Sequence, residues 1–274
     1  MSLGAICESW RDVPQPVIGM VHLRPLPGAP GYAGDLDAVA EAALADARAL
    51  EVGGVHGLMI ENFGDAPFFK GRVGAETVAA MTAVAAAVRQ AVRVPIGINV
   101  LRNDGRSALA VAAAVGAAFI RVNVLTGATL TDQGIIEGEA AELLRARKAL
   151  GAEAVAVLAD VQVKHAAPLV QRPLEEDVDE LIGRGGAAGL IVSGWGTGAP
   201  TDPGVVQRVK AAAGDTPVFI GSGATSANVA PLAPHADGFI VGTGFKRDGV
   251  VHAAVDPARV EAFVAKLGQD RMAS

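Results

Sequence analysis

Two glycine-rich turns stand near the C-terminus of the 274-residue chain, Gly221-Ser222-Gly223-Ala224-Thr225 and Gly242-Thr243-Gly244-Phe245. Each follows a short apolar run. Glycine lets the backbone come close to an anion, successive N–H groups form a nest, and the start of a following helix adds partial positive charge. Ser222, Thr225 and Thr243 add hydroxyl donors. One such turn alone is also what a tight strand-to-helix connection needs. Two in consecutive units point to phosphate or phosphomonoester binding, at Gly221, Ser222 and Gly223 on one turn and Gly242, Thr243 and Gly244 on the other. The Ser193-Gly194-Trp195-Gly196-Thr197-Gly198 stretch is placed to join them.

The acid, base and charge candidates are Asp160, Lys164, His165, Glu61 and His22, each at the end of an apolar run. An imidazole shuttles protons near neutral pH. Lys164 is either a Schiff-base nucleophile or a counter-ion for phosphate or carboxylate, and the counter-ion is the favoured reading. Arg24, Asn62, Asn99, Arg121, Asn123 and Ser193 are the candidates for orienting a substrate, with Arg102 just beyond. The bland alternative is that Asn99, Arg121, Asn123 and Asp160 form a satisfied network tying strands together. Polar groups inside apolar strands are costly to bury unpaired, so their repetition at one end of every strand argues for a polar pocket. Glu61 and Asp160 are the oxygen ligands a Mg2+ would use, but no cofactor is required by any spacing, and no His/Cys cluster or HExxH pattern suggests a transition metal. His56, His235 and His252 are read as structural.

Positioning these residues takes a repeated architecture. Strand candidates fall at residues 17–22, 57–61, 96–100, 119–124, 154–161, 189–193, 218–221 and 238–242. Helical patterns alternate with them at 35–51, 75–91, 105–115, 134–149, 174–184, 203–213, 225–232 and 256–266. Asp35, Thr131, Asp202-Pro203, Ser226 and Asp256-Pro257 offer N-terminal caps or first-turn residues. Strands apolar throughout suit a parallel sheet covered on both faces, and eight right-handed units close into a (β/α)8 TIM barrel. An open doubly wound sheet would carry GxGxxG after its first strand, where this chain has His22-Leu23-Arg24-Pro25-Leu26-Pro27-Gly28. Residues 1–274 are therefore expected to form one α/β barrel domain, with 268–274 fraying.

A net charge of −6 without a Lys/Arg run disfavours nucleic acid as a partner. Cys7 has no internal disulfide partner, and no signal-like or bilayer-spanning apolar stretch is evident. The expectation is a cytoplasmic protein that binds a small phosphorylated ligand and associates as a homo-oligomer. Residues 63–74 hold three of the eight Phe residues and suit a lid over the ligand and a subunit interface equally well.

Four blocks carry a family resemblance: Ile18-Gly19-Met20-Val21-His22-Leu23-Arg24-Pro25-Leu26-Pro27-Gly28, Glu61-Asn62-Phe63-Gly64-Asp65, Asp160-Val161-Gln162-Val163-Lys164-His165-Ala166, and Ser193-Gly194 followed by Gly221-Ser222-Gly223. They resemble the BtpA family, also called the photosystem I biogenesis or BtpA/SgcQ family, from the first strand to the last. The resemblance implies a barrel of the ribulose-phosphate-binding group and no particular reaction. Its cyanobacterial member is described as a factor for photosystem I accumulation at the thylakoid surface, whereas enterobacterial relatives look like companions of sugar-phosphate uptake and epimerase genes. Two functional expectations stand together: an enzyme acting on a sugar-phosphate-like metabolite by proton transfer or lyase/aldol-type chemistry, and a non-catalytic assembly or regulatory factor.

Overall fold

In a computed structural model of the chain, which describes residues 1–163, 166–194, 196 and 200–272, all eight expected barrel strands are present. They are β1 (Val17–His22), β2 (Gly57–Glu61), β3 (Ile96–Asn99), β4 (Phe119–Val122), β7 (Ala156–Asp160), β9 (Gly189–Val192), β10 (Val218–Ile220) and β11 (Gly238–Val241). Neighbours pair in parallel, and β1 closes the ring by pairing with both β2 and β11. The fold is a (β/α)8 TIM barrel.

Strand periodicity divides the apolar residues into two sets. Val17, Val21, Leu58, Ile60, Ile98, Ile120, Val157 and Leu190 belong to the larger cluster, which they share with buried helix residues. Ile18, Met20, Met59, Phe119, Leu158, Ile191, Phe219 and Ile240 form a second cluster with Trp10 and Ile6. Successive strand residues point to opposite faces, so the first set faces the helices and the second fills the barrel. A short helix α1 (Leu3–Ile6) and a 3-10 turn at Glu8–Trp10 bring Trp10 under the barrel, 1% exposed, with its ring 5.4 Å from Phe119 and 6.3 Å from Phe219. The indole Nε1 donates to His56 O at 2.7 Å, and His56 Nδ1 accepts from Val17 N at 3.1 Å. Glycine is required beside these rings, since a Cβ on Gly97 would lie 2.0 Å from Phe119.

The surrounding helices are α2 (Leu36–Val52), α3 (Ala75–Ala91), α4 (Gly105–Val115), α5 (Ala140–Ala149), α6 (Leu174–Gly183), α7 (Pro203–Ala213), α8 (Val229–Leu232) and α9 (Pro257–Met272). Asp35, Asp202 and Asp256 accept from first-turn N–H groups, as their positions predict. Three expectations are corrected. Of the helix expected at 134–149, residues 134–137 are not helical: β5 (Ala128–Thr131) and β6 (Gly134–Glu137) form an antiparallel hairpin, and β8 (Ala166–Pro168) adds to β5 as a third strand. Gly134 turns that hairpin at φ +92°, a conformation that ends any helix there. Thr131 is consequently a strand residue and not a cap. Asn228, not Ser226, precedes α8, which is a single turn. The last helix runs through Gly268 to Met272.

Candidate functional site

The register of the barrel carries its polar residues to one level. His22 pairs with Glu61 across β1–β2, Glu61 with Asn99 across β2–β3, and Asn99 with Arg121 across β3–β4. By the same alternation the inward position at the top of each strand is polar or glycine: His22, Glu61, Asn99, Arg121 with Asn123, Asp160, Ser193, Gly221 and Gly242. A crown of side chains thus caps the apolar interior at the C-terminal mouth, where barrels of this type hold their sites.

Arg121 and Asp160, each 3% exposed, are the centre of that crown. Arg121 Nη2 lies 2.9 Å from Asp160 Oδ1 and 3.0 Å from Oδ2, with Nε at 3.3 Å from Oδ2. Asn123 Nδ2 donates to the same Oδ2 at 2.6 Å, and Asn99 Nδ2 donates to Arg121 O and Asn123 Oδ1. Burial disfavours the charged Arg121 guanidinium, but Asp160 and Glu61 beside it hold its pKa above the ordinary value. Arg102 shifts the other way: burial dominates and lowers it, although Asp160, Asp132 and Glu61 pull it up. Asp132 sits at the tip of the β5–β6 hairpin, so that hairpin brings a carboxylate towards the mouth.

A cavity of about 250 Å³ opens on the β1, β10 and β11 side. His22, Glu61, Phe63 and Arg121 line one wall, and Gly221, Ser222, Gly223, Gly242, Thr243 and Gly244 the other. His22 Nε2 lies 3.7 Å from Glu61 Oε1, and its ring stacks on Phe63 at 4.5 Å. The two glycine turns touch, because a Cβ on Gly244 would stand 2.7 Å from Ala224 O. Gly223 holds φ +70°, and Asn228 braces its turn by donating to Gly223 O and accepting from Thr225 N. Among the described residues, no hydrogen bond takes up the backbone N–H of Ser222, Gly223, Ala224, Thr243 or Gly244. A second cavity of about 650 Å³ opens beyond β4, β7 and β9, reached by Asn123, Asp160 and Ser193.

The remaining candidates lie elsewhere. Asn62 is 1% exposed, its Oδ1 accepting from Leu101 N at 2.7 Å and its Nδ2 donating to Asp65, so it joins the β2 and β3 loops and lines neither cavity. Arg24 lines a neighbouring groove with Lys246 and His252, which shares His22 and Phe63 with the glycine cavity. Lys164, His165, Trp195, Thr197 and Gly198 lie outside the described residues. The 63–74 segment splits in role: Phe63 is a wall of the cavity, while Phe69 is 64% exposed and its carbonyl accepts from Arg102 N. A Mg2+ on Glu61 and Asp160 fits poorly, since Arg121 and Asn123 already take both Asp160 oxygens. Among the described residues no group of three or more His, Cys, Asp or Glu could hold a metal ion.

Two residues escaped sequence reasoning. Arg259, in the first turn of α9, reaches the rim of the glycine cavity, its Nε donating to Gly244 O at 3.0 Å. The Asp256-Pro257 helix start just before it was the available signal. Lys246 is buried at 2% exposure against Asp46 and anchors the β11 loop to α2.

Fold and crown together define a TIM barrel with a polar, glycine-walled cavity at its C-terminal mouth. Its sequence is specific enough to go further, and the chain belongs to the BtpA family, whose model matches residues 13–269. It is 52% identical over 254 residues to the photosystem I biogenesis protein BtpA of Synechocystis sp., covering 93% of this chain and 88% of that one. It is 35% identical over 253 residues to the putative sgc region protein SgcQ of Escherichia coli, covering 92% and 93%. Among solved structures, Mycobacterium tuberculosis tryptophan synthase matches at TM-score 0.63 and 18% identity over 97% of each chain, a likeness of fold. No described helix is long and apolar enough to cross a membrane.

Proposed function

We propose that the protein is an enzyme acting on a small phosphorylated metabolite of sugar-phosphate type, by proton transfer or lyase/aldol-type chemistry. The observation that carries this reading is the set of five backbone N–H groups, without a hydrogen bond among the described residues, on two touching glycine turns in the cavity that also holds His22, Glu61 and Arg121. Such donors are preorganised for an anion and need no rearrangement to receive it. With the phosphate there, the rest of the substrate faces His22 and Glu61, an acid–base pair suited to moving a proton at the adjacent carbon. Arg121 supplies fixed positive charge for developing negative charge. Asp160, gripped by Arg121 and Asn123, holds that charge in place and is not itself the base. Lys164 and His165, just beyond Asp160, complete the proposed acid–base and counter-ion set.

The name of the cyanobacterial relative, photosystem I biogenesis protein, favours a second reading, a non-catalytic assembly factor for a membrane complex. Thermal unfolding against inorganic phosphate, sugar phosphates and the matching unphosphorylated sugars separates the two. A ligand at about one hundred times its Kd adds about 2.7 kcal/mol, a rise of several degrees. The enzyme reading expects shifts from phosphorylated compounds only, absent in Gly223→Asp, whose side chain adds negative charge and strains a φ of +70°. If no phosphorylated compound shifts the wild-type protein, the assembly reading takes its place.

A further inference from the structure

Building on that phosphate reading, we infer that the natural ligand is two-ended, a phosphomonoester whose far end is a bulky, largely apolar ring-type group seated in the second cavity. The glycine cavity, at about 250 Å³, has room for a phosphate and a sugar-sized group, whereas its neighbour offers about 650 Å³. The two share a wall one residue pair thick. Arg121 lines the first, and Asp160, the carboxylate it grips, lines the second. Their rims are also bonded, since Gly221 N donates to Val192 O and Gly194 N to Ser222 Oγ.

The chemistry of the second cavity differs from that of the first. One part of its lining is apolar, from Leu125, Val161, Leu181 and Val205, while Arg172, Asp177, Glu180 and Asp202 line another. The three-stranded sheet lies along it, contributing Ala128, Thr129 and Ala166, and at its entrance Leu169 and Val170 are 48% and 69% exposed. A triose or pentose phosphate would leave the apolar part of this surface uncovered. At the junction stands Ser193, whose Oγ is buried with no hydrogen-bond partner among the described residues and points at Gly221, where a Cβ would lie 2.7 Å from it. Buried hydroxyls are normally bonded, so this one is aimed at a group the ligand brings. A hydroxyl or ring heteroatom between the phosphate and the apolar end meets that requirement.

The test compares Kd values, by titration calorimetry, for inorganic phosphate, ribose 5-phosphate, adenosine and cytidine 5′-monophosphates, a phenyl-bearing phosphomonoester and adenosine. Covering about 60 Å² of apolar surface corresponds to about tenfold in affinity. At least one ring-bearing phosphate is expected to bind at least tenfold more tightly than ribose 5-phosphate, with adenosine weaker than either. Filling the second cavity with Ala128→Trp or, should the sheet not tolerate it, Val205→Phe is expected to bring that ratio towards one. The inference is overturned if no ring-bearing phosphate outbinds ribose 5-phosphate, or if neither filled variant lowers the ratio. Should inorganic phosphate and ribose 5-phosphate still bind wild type and fail on Gly223→Asp, only the two-ended ligand is lost. If no phosphate binds at all, the cradle falls with it.

Discussion

The lower and upper halves of the barrel interior are lined by the same eight strands, yet they are filled in opposite ways. Below, Trp10, Phe119, Phe219, Ile191 and Leu158 form one buried apolar cluster, and polar groups beside it are satisfied within the chain, as His56 is by Val17 N and the Trp10 indole. Above, charged and amide side chains are buried to the same depth around two cavities, and atoms such as Ser193 Oγ and Asn99 Oδ1 have no partner among the described residues. A layer built only for stability would not carry this arrangement, because replacing buried ion pairs with packed apolar groups is often neutral or stabilising. The floor holds the barrel shut, and on the proposed reading the crown gives up stability for a ligand site.

That contrast is open to mutation. Trp10→Ala is expected to cost about 3–5 kcal/mol in denaturant unfolding, the range for deleting a buried aromatic, while phosphate-dependent stabilisation persists. A loss of ligand response in a folded Trp10→Ala protein would break the contrast. Asp160→Leu is expected to cost a comparable amount, about 3–5 kcal/mol, because Arg121 is left charged and unpaired in the interior. The double variant Arg121→Met/Asp160→Leu is expected to recover most of that loss but not the ligand response. If it stays as unstable as the single variant, the pair is a strut like Trp10 and the crown is structural. Smallest of all, Ser193→Ala is expected to change stability by no more than about 0.5 kcal/mol, since its hydroxyl makes no hydrogen bond among the described residues. A cost well above that would mean Ser193 belongs to the fold.

The β5–β6–β8 sheet shows where sequence reading failed and why. Residues 134–149 read as one helix, because Gly134-Ile135-Ile136 runs directly into the Ala-rich segment of α5. The positive φ of Gly134 and the pairing of β5 with β8, far along the chain, decide otherwise, and only the first leaves a local trace. That sheet also borders the second cavity, so the cavity was invisible in the sequence. Asn62 illustrates the same limit. Its position at the end of β2 is that of a site residue, but whether such a side chain faces a ligand or a neighbouring loop depends on where Leu101 lies.

The sequence by itself determined the eight strands, the alternation that makes a barrel, the family, and the glycine turns at β10 and β11, because these depend on local periodicity and on residue types near in the chain. Tertiary structure alone decided the registers that level His22, Glu61, Asn99 and Arg121, the grip of Arg121 on Asp160, the reach of Arg259 to Gly244, and the division of the mouth into two cavities. Each of those rests on contacts between residues distant in sequence, whose geometry is set only when the ring of strands closes.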